Sequence, residues 1–111
     1  MNVDQVVQDG IIIFRLSGEL DMKAAPALKQ QLIAQATGEK PRAVINLAEL
    51  RYVDSAGLGV LVNAQNAFTS KGGSMKLAGA RPEVRNILQI TRLLTFFSVH
   101  ETEADAVTAS K

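Results

Sequence analysis

At 111 residues the chain is long enough for one domain with one hydrophobic core, spanning residues 1–111. Apolar residues make up 47% and charged residues 21%. The 12 basic and 11 acidic side chains are spread along the sequence and leave a net charge of +1, which gives no basic stripe for nucleic acid. The lack of cysteine removes disulfides, iron–sulfur clusters and thiol catalysis. With no apolar run near the ~18 residues of a membrane span and no signal-peptide start, a cytoplasmic domain without membrane insertion is expected.

Residues 3–7 read as a short edge strand. Asp9-Gly10 tolerates the positive φ of a tight turn, and residues 11–16 follow as a β-branched strand ending at Ser17-Gly18, which makes an antiparallel hairpin. After Asp21 the period changes to that of a helix. Leu28, Leu32, Ile33 and Ala36 form its inward stripe, Pro26 fits its first turn and Gly38 is placed to end it. Lys40-Pro41 breaks the chain before a buried strand at residues 42–47. A second helix runs from Ser55 to Ser70 and stops at Gly72-Gly73, and residues 74–78 form another strand. Pro82 opens a third helix with Val84, Ile87 and Leu88 inward, and residues 96–99 read as a last short strand. Thr102 with Asp105 resembles a capping box for a short C-terminal helix, whose last four residues are expected to fray. Strands alternating with helices of this length predict an α/β fold: a mixed sheet built from an N-terminal antiparallel hairpin followed by βα units.

The 55–70 helix is the unusual segment, because it contains no charged residue. Leu58, Leu61, Val62, Gln65, Phe68 and Thr69 fall on one side, while Val60, Asn63, Ala64 and Ala67 occupy the other, where an ordinary surface helix carries charge. Either the domain itself covers both sides or a partner covers the second. Asp54 and Ser55 are both residue types that cap a helix N-terminus. Gly57 and Gly59 each cost about 1 kcal/mol against alanine in a helix interior, a penalty that makes sense where backbones approach closely.

Nothing in the sequence assembles an enzyme. His100, the single histidine, has no partner at triad or metal-site spacing. Asp21 and Asp54 are available as a carboxylate pair for acid–base work or Mg²⁺, but Asp21 reads more simply as a cap for the first helix and Asp54 as a loop acceptor. Gly57-x-Gly59 lacks both the third glycine of a dinucleotide fingerprint and the Lys-Ser/Thr of a P-loop. No cofactor and no metal ligand set is expected.

Asp54-Ser55-Ala56-Gly57-Leu58-Gly59-Val60-Leu61 resembles the signature of STAS domains, most closely that of bacterial anti-sigma-factor antagonists. Ser17-Gly18-Glu19-Leu20-Asp21 is similar to a second landmark of that family, and the resemblance runs in order over nearly the whole chain. It implies a mixed sheet with helices mainly on one side. It also implies that Ser55, the hydroxyl residue directly after the Asp, is phosphorylated by a partner kinase, with Asp21, Asp54, Ala56 and Gly57 close to the phosphosite. Leu58, Gly59, Val60, Asn63, Ala64 and Ala67 would then form the partner-binding surface. By the same resemblance the unphosphorylated form, a monomer, binds an anti-sigma factor serine kinase and releases a sigma factor. Phosphorylation ends the complex, and a PP2C-type phosphatase resets the cycle. A STAS subunit docking to the ATPase of a lipid-transport ABC complex is the alternative within the family. A small enzyme or nucleotide-binding protein is the alternative outside it.

Overall fold

In the segments Ile11-Ile12-Ile13-Phe14 and Ala43-Val44-Ile45, successive side chains go to opposite faces of a sheet, and both faces are apolar because both are covered. The computed structural model describes residues 1–111. Its five strands are β1 (Asn2–Gln8), β2 (Ile11–Leu20), β3 (Arg42–Val53), β4 (Ser74–Ala78) and β5 (Ser98–His100), lying side by side in that order. The β1–β2 pair is antiparallel and every other pair is parallel. Four helices complete the chain: α1 (Ala25–Gln35), α2 (Ser55–Ser70), α3 (Pro82–Ile90) and α4 (Glu103–Ser110).

Phe14, Leu16, Ala43, Ile45 and Leu77 point to one face, where α1, α2 and α3 bury Leu28, Leu32, Leu61, Phe68, Val84 and Leu88 against them. Ile11, Ile13, Val44 and Ala78 point to the other and meet only Ala106 and Val107 of α4. The helices are therefore mainly on one side, and the α/β architecture expected from the alternation of elements is the one observed.

Several boundaries differ from the expectation, each for a reason that lies in the tertiary structure. β2 does not end at Ser17-Gly18 and β3 does not end at Leu47, because the two strands continue to pair as far as Leu20 and Val53. They do so through two one-residue irregularities. Asn46 pairs with Arg15 but Glu49 with Ser17, and Leu50 pairs with Gly18 but Tyr52 with Glu19, so β3 carries an extra residue at each step. The extra residues reset the side-chain phase, and Leu47, Leu50 and Val53, three apart, all reach the same core. Ile33 is exposed, since the buried line of α1 runs through Ala25, Leu28 and Leu32. The last strand begins at Ser98; Phe96 and Phe97 sit in the preceding turn, with Phe97 in the core and in edge-to-face contact with Phe96 at 5.1 Å.

The C-terminus does not fray. α4 is capped by Thr102, whose Oγ1 accepts the Asp105 N–H at 3.1 Å, and it runs to Ser110, which is 7% exposed. Ser110 Oγ donates to the Ala106 carbonyl at 2.7 Å, and Arg42 Nη1 donates to the Ser110 carbonyl at 3.3 Å. These bonds satisfy groups that a free end would leave to water.

α4 is also held at its start. Arg15 Nε and Nη2 donate to the two Glu103 oxygens at 2.8 and 3.0 Å, and Asn46 Nδ2 donates to Oε1 at 3.0 Å. The hydrogen bond from Arg15 is the largest influence on the Glu103 carboxyl and holds it below the ordinary glutamate value of 4.5, with Asn46 acting in the same direction and partial burial against it. A carboxyl whose folded value is depressed adds stability above its unfolded pKa and loses it as pH falls through the folded one. Glu103→Gln should therefore melt below the wild type at pH 7, and the two melting temperatures should converge as pH drops below about 4.5. Parallel curves across that range in a thermal melt series would remove the carboxylate from the account of how α4 is anchored.

Candidate functional site

The end of β3 and the start of α2 are shaped by one carboxylate. Val53 is buried, and Asp54 keeps the extended backbone (φ −103°, ψ −175°) of an N-cap. Its Oδ1 accepts the Gly57 N–H at 2.9 Å and its carbonyl accepts the Leu58 N–H at 2.9 Å. The cap thus falls on Asp54 alone, and Ser55 is exposed as the first residue of the helix with no capping duty. Oδ2 of Asp54 reaches out of the helix and accepts the Met22 N–H at 3.0 Å, while the Asp54 N–H donates to the Leu20 carbonyl at 3.2 Å. The loop between β2 and α1 is in this way tied to the start of α2.

Asp21 organises the same loop from inside. Its Oδ1 accepts the Lys23 and Ala24 N–H groups at 3.1 and 3.0 Å, and its carbonyl accepts the Ala25 N–H at 2.9 Å. It closes a turn ahead of α1 and does not cap the helix itself, whose N-cap is Ala24 without a side-chain bond. Asp21 and Asp54 are therefore neighbours through Met22, with their oxygens turned to backbone amides.

The two glycines of the segment serve different ends. A Cβ on Gly57 would lie 2.6 Å from the Leu20 carbonyl oxygen and 2.8 Å from Val53 Cγ2, so only glycine lets α2 start this close to the end of β2. A Cβ on Gly59 would meet nothing within 4 Å. Ala56 is half-buried beside them.

The second side of α2 is not the open face its composition implies. Val60 is 5% and Ala64 0% exposed, Leu58 on the core side is 8%, and Ala67 is half-buried. α1 packs alongside α2, so the domain covers two adjacent sides of this helix and needs no charge there. Gly59 and Asn63 do face solvent, together with Ser55, Asn66 and Ser70, as a single uncharged strip. Thr69, expected inward, is exposed and returns its hydroxyl to the Gln65 carbonyl at 2.9 Å, while Gln65 Nε2 donates to the Phe96 carbonyl at 2.8 Å. Met22 and Asn66 were not distinguishable as surface features from residue spacing. Met22 lies in a stretch with no period, and Asn66 is one of two asparagines only three residues apart on α2.

His100 Nε2 lies 3.0 Å from Ser98 Oγ, and no carboxylate completes an acid–base relay there. No group of three or more His, Cys, Asp or Glu side chains is placed to hold a metal ion. No helix is long and apolar enough to cross a membrane.

A family model described as the STAS domain matches residues 2–106. The anti-sigma F factor antagonist of Paenibacillus polymyxa is 31% identical over 100 residues, covering 89% of this chain and 86% of the relative. The anti-sigma-B factor antagonist of Bacillus subtilis (strain 168) is 34% identical over 94 residues, 84% of each chain. Among solved structures, an anti-sigma factor antagonist from Mycobacterium paratuberculosis superposes with a TM-score of 0.87 at 31% identity, over 98% of this chain and 92% of that one.

The contrast between the glycines is measurable. Gly57→Ala should destabilise the domain by roughly 1–3 kcal/mol, because the Leu20 carbonyl oxygen, together with the buried Leu20 and Val53 side chains, blocks the new methyl group. Gly59→Ala should stabilise it by up to about 1 kcal/mol, the helix-propensity difference with no clash to oppose it. Urea denaturation of both variants gives the comparison; equal and opposite results, with Gly57→Ala the more stable, would contradict the close approach at Leu20.

Proposed function

The chain belongs to the STAS domain family, and on that footing we propose that it is an anti-sigma factor antagonist switched by phosphorylation of Ser55. It acts as a binding and regulatory domain and carries out no chemistry itself. Unphosphorylated, it occupies an anti-sigma factor serine kinase and frees a sigma factor. That kinase then moves the γ-phosphoryl group of ATP to Ser55 Oγ, the complex weakens, and a PP2C-type phosphatase restores the hydroxyl.

The observation that carries the reading is the division of labour between adjacent residues. Asp54 caps α2, so the neighbouring hydroxyl is exposed and spare. By position, the amides of Ser55 and Ala56 have no carbonyl to meet within the helix. A phosphate adds about −1.5 to −2 charges at neutral pH, and at a helix N-terminus that charge meets free N–H groups and the positive end of the dipole. The fold tolerates the group; a partner pressed against it has to desolvate it. A few kcal/mol at that contact changes affinity by a hundredfold or more. The exposed strip of Gly59 and Asn63 continues from Ser55 along α2 and extends the proposed docking surface, whereas the buried Leu58, Val60 and Ala64 support it from below.

Pull-down from lysate followed by kinase assay and mass spectrometry tests this. A serine kinase should be recovered, Ser55 should be the dominant phosphosite, and Ser55→Ala should stay bound when ATP is added. A dominant site at Ser17, Ser70 or Ser74 would overturn the assignment, and recovery of a transporter ATPase instead would favour the docking role in an ABC complex. Ser55→Ala should fold with a stability change within about ±0.5 kcal/mol, as for other exposed positions without a cap to lose.

A charge scan of α2 checks the surface separately. Asn63→Glu should leave stability within about ±0.5 kcal/mol and weaken kinase binding severely, because an unpaired carboxylate would be desolvated in the complex. Ala64→Glu, at a position with 0% exposure, should lower the melting temperature sharply. Full binding by a stable Asn63→Glu variant would move the interface off this strip.

A further inference from the structure

The loop between β2 and α1 is short and exposed at Met22 and Lys23, and yet its amides from Met22 to Ala24 are all hydrogen-bonded. Between buried Leu20 and buried Ala25 lie four residues, and the three amides at Met22, Lys23 and Ala24 are all taken by carboxylates. Two of those bonds stay inside the loop, on Asp21. The third leaves it, from Met22 to Asp54 Oδ2, one residue before Ser55. The residue fixed by this outgoing bond bears a large apolar side chain that is 73% exposed, the highest value among the large hydrophobic residues of the chain. An exposed thioether on a turn whose amides are all bonded is a preorganised contact: Met adapts to an irregular apolar pocket, and the backbone beneath it is already restrained before a partner arrives.

We propose that Asp54 is a positioning residue that holds Met22 beside Ser55, and that Met22 inserts into an apolar pocket next to the active site of the kinase that modifies Ser55. The proposal rests on the reading of Ser55 given above. It adds a second contact, from a different element, and makes the kinase-facing surface composite: the start of α2 supplies the acceptor hydroxyl, and the β2–α1 loop supplies the apolar anchor. Since Asp54 bonds both elements through its two oxygens, the distance between hydroxyl and anchor is set by one side chain.

Two measurements test the two halves. Asp54→Asn retains one oxygen, enough to cap α2 at Gly57, and turns an N–H₂ group towards the Met22 amide. In the free protein, amide exchange at Met22 should speed up by about tenfold or more while Gly57 remains protected; unchanged exchange at Met22 overturns the tie. With the serine kinase recovered by the wild-type chain as probe, Met22→Ala should raise the KM for this chain by about tenfold with kcat unchanged, Met22→Leu should restore most of it, and neither should alter the melting temperature. Wild-type kinetics for Met22→Ala overturn the anchor. If the wild-type chain recovers no serine kinase, the function assigned to Ser55 and the anchor both fall, whereas the exchange measurement still decides whether Asp54 fixes the loop.

Discussion

The Asp54 carboxylate is the constraint on which the working end of the molecule depends. One oxygen satisfies the first turn of α2 at Gly57, and the other satisfies the loop that leads into α1 at Met22. The first bond is local to α2, but the second is available only because the two elements lie against each other, and what permits that is the missing side chain at Gly57, where a methyl group would meet the Leu20 carbonyl. The arrangement is mutual. The glycine allows the approach, the carboxylate uses it, and the Asp54 N–H on the Leu20 carbonyl closes the ring between β2, β3 and the two helices that follow them.

Asp54 arrives at this place because of what happens upstream in β3. A regular strand from Ala43 would send every second residue to the core. The first extra residue inserted against β2 brings Leu50 inward beside Leu47 and the second restores the original phase, so that Val53 also points inward but pairs with Leu20, which brings Asp54 to the loop after β2. The first irregularity has its own support. Asn46 Oδ1 accepts the Ala48 N–H at 2.9 Å while its Nδ2 donates to Glu103, so the same asparagine that turns β3 out of register also fastens the start of α4. The cost of a broken ladder is offset locally by side-chain bonds, as is usual for a bulge that re-aims a strand.

The sequence was legible wherever one period was enough. The β-branched runs, the Asp9-Gly10 turn, the prolines at the starts of α1 and α3 and the Thr102 cap all state local preferences that the fold keeps. It was not legible where a second element decides. Helical spacing separates Leu61 from Val60 by about 100°, but it cannot say that the domain will bury Val60 and Ala64 as well, so whether the domain or a partner covers that side stayed open. Gly57 and Gly59 are the same residue two positions apart, and only the position of Leu20 shows that one is obligatory and the other free. Ser110 reads as a frayed end until Arg42 is seen to bond its carbonyl. Likewise Asp54 and Ser55 are both good caps on paper, and it is the backbone at residue 54 that gives the role to the first and releases the second.

That release bears on why a switch suits this position. If Ser55 were the cap, modifying its hydroxyl would remove a bond that the helix needs, and binding and folding would change together. With the cap on Asp54, a phosphate at residue 55 alters charge without withdrawing any bond of the domain. No other charged residue lies on α2, so on the proposed docking strip a new phosphate would face no built-in cation that could neutralise it there. Its partners inside the chain would be the amides at the helix start, which stabilise an anion but do not cancel its charge. The domain can therefore carry the group without losing a hydrogen bond of its own, while any surface that covers residue 55 has to meet the added charge. A site built this way separates the effect on the partner from the effect on the fold, which is what a reversible binding switch needs.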